Sequence, residues 1–232
     1  MGHWRKLQAT VYPTNRCNLR CTYCVAQSGI IAESQAQKID LDFARQGVAD
    51  FFKEHNAHQI RFYSSGEPTQ AMDVIEQMVA FGRNLVGERL ITEIQTNGYF
   101  SEEIARWLGE NISIIWLSID GWPEVNDQYR PARDNPKPTT QILNNLRIMQ
   151  ERTFVGVRAT IVPETVRRQA ELIEYFASLG VKQIYSEPVF EPVRISGEMQ
   201  DRGKITLVNI MDYAYGFLKG WDRAQQLDVF YG

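Results

Sequence analysis

The chain has 232 residues, 44% hydrophobic and 23% charged, which suits a globular protein that buries its core without disulfides or structural metals. Its 25 Lys and Arg against 28 Asp and Glu leave a net charge of −3, so the bulk composition does not point to nucleic acid as a partner. No apolar run is long enough to span a bilayer, and the first residues lack the h-region of a signal peptide; a cytoplasmic protein with no membrane partner is expected.

In chain order, Leu7–Tyr12 alternates apolar and polar residues and is predicted to be a strand. A loop holding the chain's three cysteines, Cys17, Cys21 and Cys24, follows at once. Asp40 is placed to cap a helix through about Glu54, with Leu41, Ala44, Val48, Phe51 and Phe52 on its apolar stripe. His58–Tyr63 is a second predicted strand, ended by the loop Ser64-Ser65-Gly66-Glu67-Pro68. A helix over 71–85 leads to a third strand, Leu90–Gln95, closed by Thr96-Asn97-Gly98. Ser101 caps a helix through Leu108.

Ile112–Ile119 is nearly all apolar, the composition of a strand buried on both faces, and Asp120-Gly121 ends it. Tyr129–Thr139 holds three prolines and is expected to be a loop, before a helix over 140–152. The fifth strand is Phe154–Ile161. A helix over 164–178 follows, with Gly180 at the C′ position. Val181–Tyr185 is the sixth strand; Ser186-Glu187-Pro188 ends it and Glu191 lies just beyond, either carboxylate being a possible base or substrate contact, though a solvated loop acid is the plainer reading. The last helix spans 206–226, weakened inside by Gly216 and Gly220.

Strict strand–helix alternation demands parallel strands with helical crossovers. An open doubly wound sheet and a complete or partial β/α barrel both fit. In either, the cysteine loop, Ser64–Pro68, Thr96–Gly98 and Asp120-Gly121 follow the C-terminal ends of strands, where ligands bind.

The cysteines carry the chemistry. An odd number within eight residues is no disulfide framework. The spacing C-x3-C-x2-C can hold three irons of a cubane, leaving the fourth open to a ligand. A structural zinc site wants four ligands, and only His3, His55 or His58 could add a histidine. A zinc-binding interaction module and a non-catalytic iron–sulfur protein for electron transfer or sensing are the competing readings.

Cys17-Asn-Leu-Arg-Cys21-Thr-Tyr23-Cys24 strongly resembles the signature of the radical S-adenosylmethionine (SAM) superfamily. The resemblance extends over the whole chain and implies a partial (β/α)6 TIM-like barrel. Ser65-Gly66-Glu67-Pro68 is similar to the family's Gly-Gly-Glu-Pro segment beside the SAM amino group, with Ser65 for the first glycine. Thr96-Asn97-Gly98, Ser118-Ile-Asp120-Gly121 and Asn126-Asp-Gln-Tyr-Arg130-Pro131 resemble a subgroup of peptide and protein maturases, the anaerobic sulfatase maturases and modifiers of ribosomal peptides, with Asn126 in place of the usual His. Taken alone, Thr96-Asn97-Gly98 and Asp120-Gly121 are ordinary turn sequences.

The resemblance implies a [4Fe–4S] cluster on Cys17, Cys21 and Cys24. SAM contacts are expected from Tyr23, Ser65, Gly66, Glu67, Pro68, Asn97, Ser118, Asp120, Arg130 and Arg158. It implies reductive cleavage of SAM to a 5′-deoxyadenosyl radical that abstracts hydrogen from a peptide or small-molecule substrate, with an electron donor such as a flavodoxin or ferredoxin. Maturases of this subgroup carry a C-terminal extension rich in cysteine. No cysteine follows Cys24 here, so a single core domain over 1–232, native or truncated, with one cluster is expected.

Overall fold

The computed structural model describes residues 7–26, 29, 31–189 and 207–232. Seven strands form one sheet: β1 (Gln8–Val11), β2 (Gln59–Phe62), β3 (Ile91–Thr96), β4 (Ile114–Ser118), β5 (Phe154–Ile161), β6 (Gln183–Pro188) and β7 (Phe230–Tyr231). All neighbours are parallel and the spatial order is the sequence order. That order decides between the two architectures. A doubly wound sheet reverses its strand order partway, whereas uninterrupted sequential order with right-handed crossovers puts every helix on one face. The sheet therefore curves as a partial barrel, with helices outside.

The helices are α1 (Leu41–His55), α2 (Met72–Val86), α3 (Glu102–Asn111), α4 (Pro123–Tyr129), α5 (Thr139–Gln150), α6 (Gln169–Ser178) and α7 (Ile210–Gln226). Asp40 caps α1 by accepting from Phe43 N at 2.8 Å, and Ser101 caps α3. The core lies between helices and sheet. Val48 and Phe52 of α1, Ile75 and Met78 of α2, Ile142 and Met149 of α5, and Ile173 and Phe176 of α6 meet Ile60, Phe62, Ile94, Ile115, Leu117, Val157 and Ile184 of the strands. None of the described helices is long and apolar enough to cross a membrane.

Several boundaries differ from expectation. β4 is not buried on both faces: Ile115 and Leu117 are buried toward the helices, while Ile114, Trp116 and Ser118 are only half-buried on the concave side. Its apolar run masked a period of two. α4 lies just before the proline-rich stretch, opened by Pro123 at its first turn, where a missing N–H costs nothing. The helix expected from 164 starts at Gln169. Before it, Thr165 Oγ1 accepts from Val162 N at 3.1 Å and holds a separate turn. Ser186-Glu187-Pro188 belongs to β6 rather than following it, and β7 was not foreseen. Glu191 lies outside the described residues, as does the start of the helix expected from 206.

The barrel floor is filled by Trp116, made possible by Gly156 on the adjacent strand: a Cβ there would stand 2.7 Å from Trp116 Cε3. Beside it Arg61 Nε pairs with Glu93 at 3.1 Å, and Gln59 donates to Glu93 at 2.9 Å. The concave face is thus polar and aromatic, unlike the layered aliphatic interior of a closed barrel.

Candidate active site at the barrel mouth

Above this floor opens a cavity of about 560 Å³. Cys17, Cys21 and Cys24 line one wall, and inward-facing residues of the strands line the others: Arg61, Gln95, Ser118, Arg158, Tyr185 and Glu187. Ser118, Arg158 and Tyr185 are register partners across β4, β5 and β6, so parallel pairing sets them side by side. Arg158 Nη2 meets Glu187 at 2.7 Å, and Arg61 stacks over Tyr63 with its guanidinium carbon 5.1 Å from the ring centre.

The cysteine loop is braced from three sides. From β2, Ser64 Oγ donates to Thr14 O, and Glu67 N donates to Arg16 O at 2.6 Å. Gly66 permits this approach, since a Cβ would lie 2.6 Å from the Asn15 carbonyl carbon. From β3, Asn97 Nδ2 donates to Asn18 Oδ1 at 2.9 Å and sits 3.9 Å from Cys17 Sγ, while Asn18 Nδ2 donates to Tyr99 O at 2.6 Å. From the end of α4 and just beyond it, Thr22 N donates to Tyr129 O at 2.9 Å and Arg20 N to Pro131 O at 2.7 Å.

These contacts redefine several expected roles. The Glu67 carboxylate is 2% exposed and fully engaged: Oε1 accepts from Thr69 N, Thr69 Oγ1 and Thr96 Oγ1, and Oε2 from Asn97 N at 2.7 Å. Burial pushes its pKa up, against the pull of those four hydrogen bonds. It ties the β2 loop to the end of β3, with three donors on Oε1 and one on Oε2. Pro68 opens the short 3₁₀ turn behind the wall and does not line the cavity. Nor does Asp120, which is wholly buried, accepts from Thr160 N at 3.0 Å and from Tyr23 OH at 2.5 Å, and has its pKa raised by burial. Arg130 donates from Nη1 to Tyr23 OH at 2.7 Å and lies 3.9 Å from Asp120. Asn126, in the place of the usual His, does not line the cavity; it accepts from Asp120 N at 3.0 Å and donates to Thr139 at 2.8 Å.

Of the residues expected at the site, Tyr23, Ser65, Gly66, Glu67, Asn97, Ser118, Arg130 and Arg158 line the cavity with the three cysteines. Arg61, Tyr63, Gln95 and Tyr185 line it too and were not foreseen. Their signal was present as polar or aromatic residues at alternate strand positions, but choosing which phase faces inward needs the closed sheet.

The thiols fit an iron–sulfur cluster. Burial, aided by the nearby charge of Glu67, pushes Cys17 up to about 12; burial, opposed by Arg130, pushes Cys21 up to about 11. Both hold their protons until a metal competes for the sulfur. Among the described residues no group of three or more His, Cys, Asp or Glu converges as the ligands of a single ion do. A cubane asks something different, one thiolate to each of three irons.

A family model described as the radical SAM superfamily matches residues 11–185. The uncharacterized protein MJ0907 of Methanocaldococcus jannaschii is 28% identical over 174 residues, 74% of this chain and 58% of the relative. A cysteine-type anaerobic sulfatase-maturating enzyme of Clostridium perfringens is 29% identical over 227 residues, 88% of this chain and 59% of the enzyme. Among solved structures, native anSMEcpe with bound AdoMet superposes with a TM-score of 0.79 at 20% identity, covering 97% of this chain and 63% of that one. The same protein with AdoMet and a peptide, Kp18Cys, superposes at 0.75. The chain spans 50–59% of the length of such curated relatives.

Proposed function

The chain belongs to the radical SAM superfamily, and on that premise we propose that it is an enzyme that binds a [4Fe–4S] cluster on Cys17, Cys21 and Cys24, binds SAM beside it, and abstracts a hydrogen atom from a peptide. The observation that carries this reading is the placement of all three thiols on one wall of a polar cavity at the C-terminal mouth of a parallel barrel. When bound, the cluster and SAM supply a 5′-deoxyadenosyl radical, formed with methionine as one electron breaks the S–C5′ bond.

The chain's own residues bind and orient. Arg158, half-exposed on the wall beside Ser118 and paired through Nη2 with Glu187, offers its remaining N–H groups to a carboxylate. Ser65, Gly66 and Glu67 line the cavity, and backbone carbonyls of that loop suit an ammonium. Tyr63 and Tyr185 give aromatic walls, and Trp116 packs edge-on against Tyr185 with ring centres 5.2 Å apart. The peptide as substrate is supported by the sulfatase-maturating relatives and by the peptide held in anSMEcpe. A flavodoxin or ferredoxin is the electron donor, and free thiols with an oxygen-labile cluster suit the reducing cytoplasm.

Anaerobic reconstitution tests the reading. The protein is expected to turn brown, to hold about four irons per chain as one cubane requires, and to release 5′-deoxyadenosine from SAM with dithionite. A reconstituted chain that binds no SAM refutes it. One atom of zinc with no chromophore favours the interaction module instead.

A further inference from the structure

The segment after α4 runs antiparallel to the cysteine loop. Leu19 bridges Ala132, Arg20 N donates to Pro131 O, and Thr22 N donates to Tyr129 O. Cys21 and Arg130 each lie between the two hydrogen-bonded positions of their own segment, and both side chains line the same cavity. Arg130 is 8% exposed; Nη1 reaches Tyr23 OH, and Nε has no hydrogen-bond partner among the described residues. Behind Tyr23 stands the wholly buried carboxylate of Asp120. A cation and an anion 3.9 Å apart, both shielded from salt and water, therefore stand beside the cysteine loop.

We propose that Arg130 is a positioning residue for the iron–sulfur cluster, pinning the Cys21 loop and raising the cluster's reduction potential by its charge, with Asp120 moderating that field through Tyr23. The inference rests on the functional reading above. One-electron reduction, by a low-potential external donor, adds one negative charge to the cluster and its thiolates. A buried cation stabilises that more negative state, whereas a buried anion disfavours it; net charge and burial are established levers on cluster potentials.

The test is the midpoint potential of the reconstituted cluster, read by EPR during anaerobic titration with titanium(III) citrate. Parent, R130K, R130Q and D120N are compared at matched iron content and matched far-UV circular dichroism. R130Q is expected to titrate at a lower midpoint than the parent, R130K close to it, and D120N higher. A role in packing alone cannot move the two charge-removing variants in opposite directions. If R130Q does not fold, D120N reads the same field with the arginine intact. A midpoint unmoved by either change, or moved the same way by both, overturns the inference and leaves the functional reading standing. A parent chain that takes up no iron overturns both.

Discussion

Removing the Glu67 carboxylate is the sharpest test of how the site is built. Four donors converge on it, two of them the backbone N–H groups of Thr69 and Asn97, at 3.2 and 2.7 Å. The hydroxyls of Thr69 and Thr96 can rotate to other acceptors; the amides cannot. In E67A both amides lose their acceptor in a buried site, at about 1–3 kcal/mol each, so the variant is expected to lose about 4 kcal/mol. For a chain of this length that lowers the melting temperature by about 8–16 °C. E67Q keeps the volume but sets an NH₂ against one of the two amides in either orientation. It is expected to lose about 2 kcal/mol, or about 4–8 °C. The assay is thermal unfolding of the iron-free chain followed by circular dichroism, which separates the scaffold from any contribution of the cluster. An E67A chain melting within about 2 °C of the parent would refute the bracing role and return Glu67 to the list of free site carboxylates.

Three further outcomes are expected. G66A forces a Cβ against the 15–16 backbone; it is expected to cost about 1–3 kcal/mol and to lower iron uptake on reconstitution, because the segment pushed aside leads into Cys17. G156A intrudes on the Trp116 ring and is expected to cost a similar 1–3 kcal/mol with a changed tryptophan emission maximum; unchanged fluorescence and stability would show that Trp116 does not form the floor. Tyr231 is buried, donates to Gln169 Oε1, and burial pushes its pKa up. The unfolded chain releases this proton near pH 10 while the folded chain keeps it, so its contribution to stability is present below that pH and is lost above it. In urea unfolding Y231F is expected to be weaker than the parent by about 1 kcal/mol at pH 8. That gap should narrow by about 1.4 kcal/mol per unit above pH 10; a gap constant with pH would show that the phenol ionises freely in the fold.

Much of this protein was legible along the chain because the signals are local. Strand and helix succession follows from hydrophobic period, the helix starts at Asp40 and Ser101 from capping side chains a few residues from their partners, and the helix end at Gly180 from a residue with φ of 81°. The cysteine spacing is likewise contained in eight residues. Where local signals were weak, boundaries slipped: the turn at Thr165 was merged into α6, and two-residue β7 was invisible until the neighbouring strand paired with it.

What the tertiary structure decided is where the polar side chains of the motifs point. The sequence placed Glu67, Asn97, Asp120 and Arg130 at strand ends near the cysteines, and they are there. Yet Glu67 answers to donors up to 30 residues away and Arg130 to a phenol 107 residues away. A buried carboxylate or guanidinium must satisfy itself with whatever partners the closed sheet brings within 3 Å. Those partners are set by strand order and register, not by the residues beside it in the chain. Sequence therefore determined which groups are present and at which end of the barrel. Only closure determined which partners they meet: Glu67, Asn97 and Arg130 brace the loops around the cysteines while still lining the cavity beside Arg158 and Ser118, and Asp120 is buried behind Tyr23.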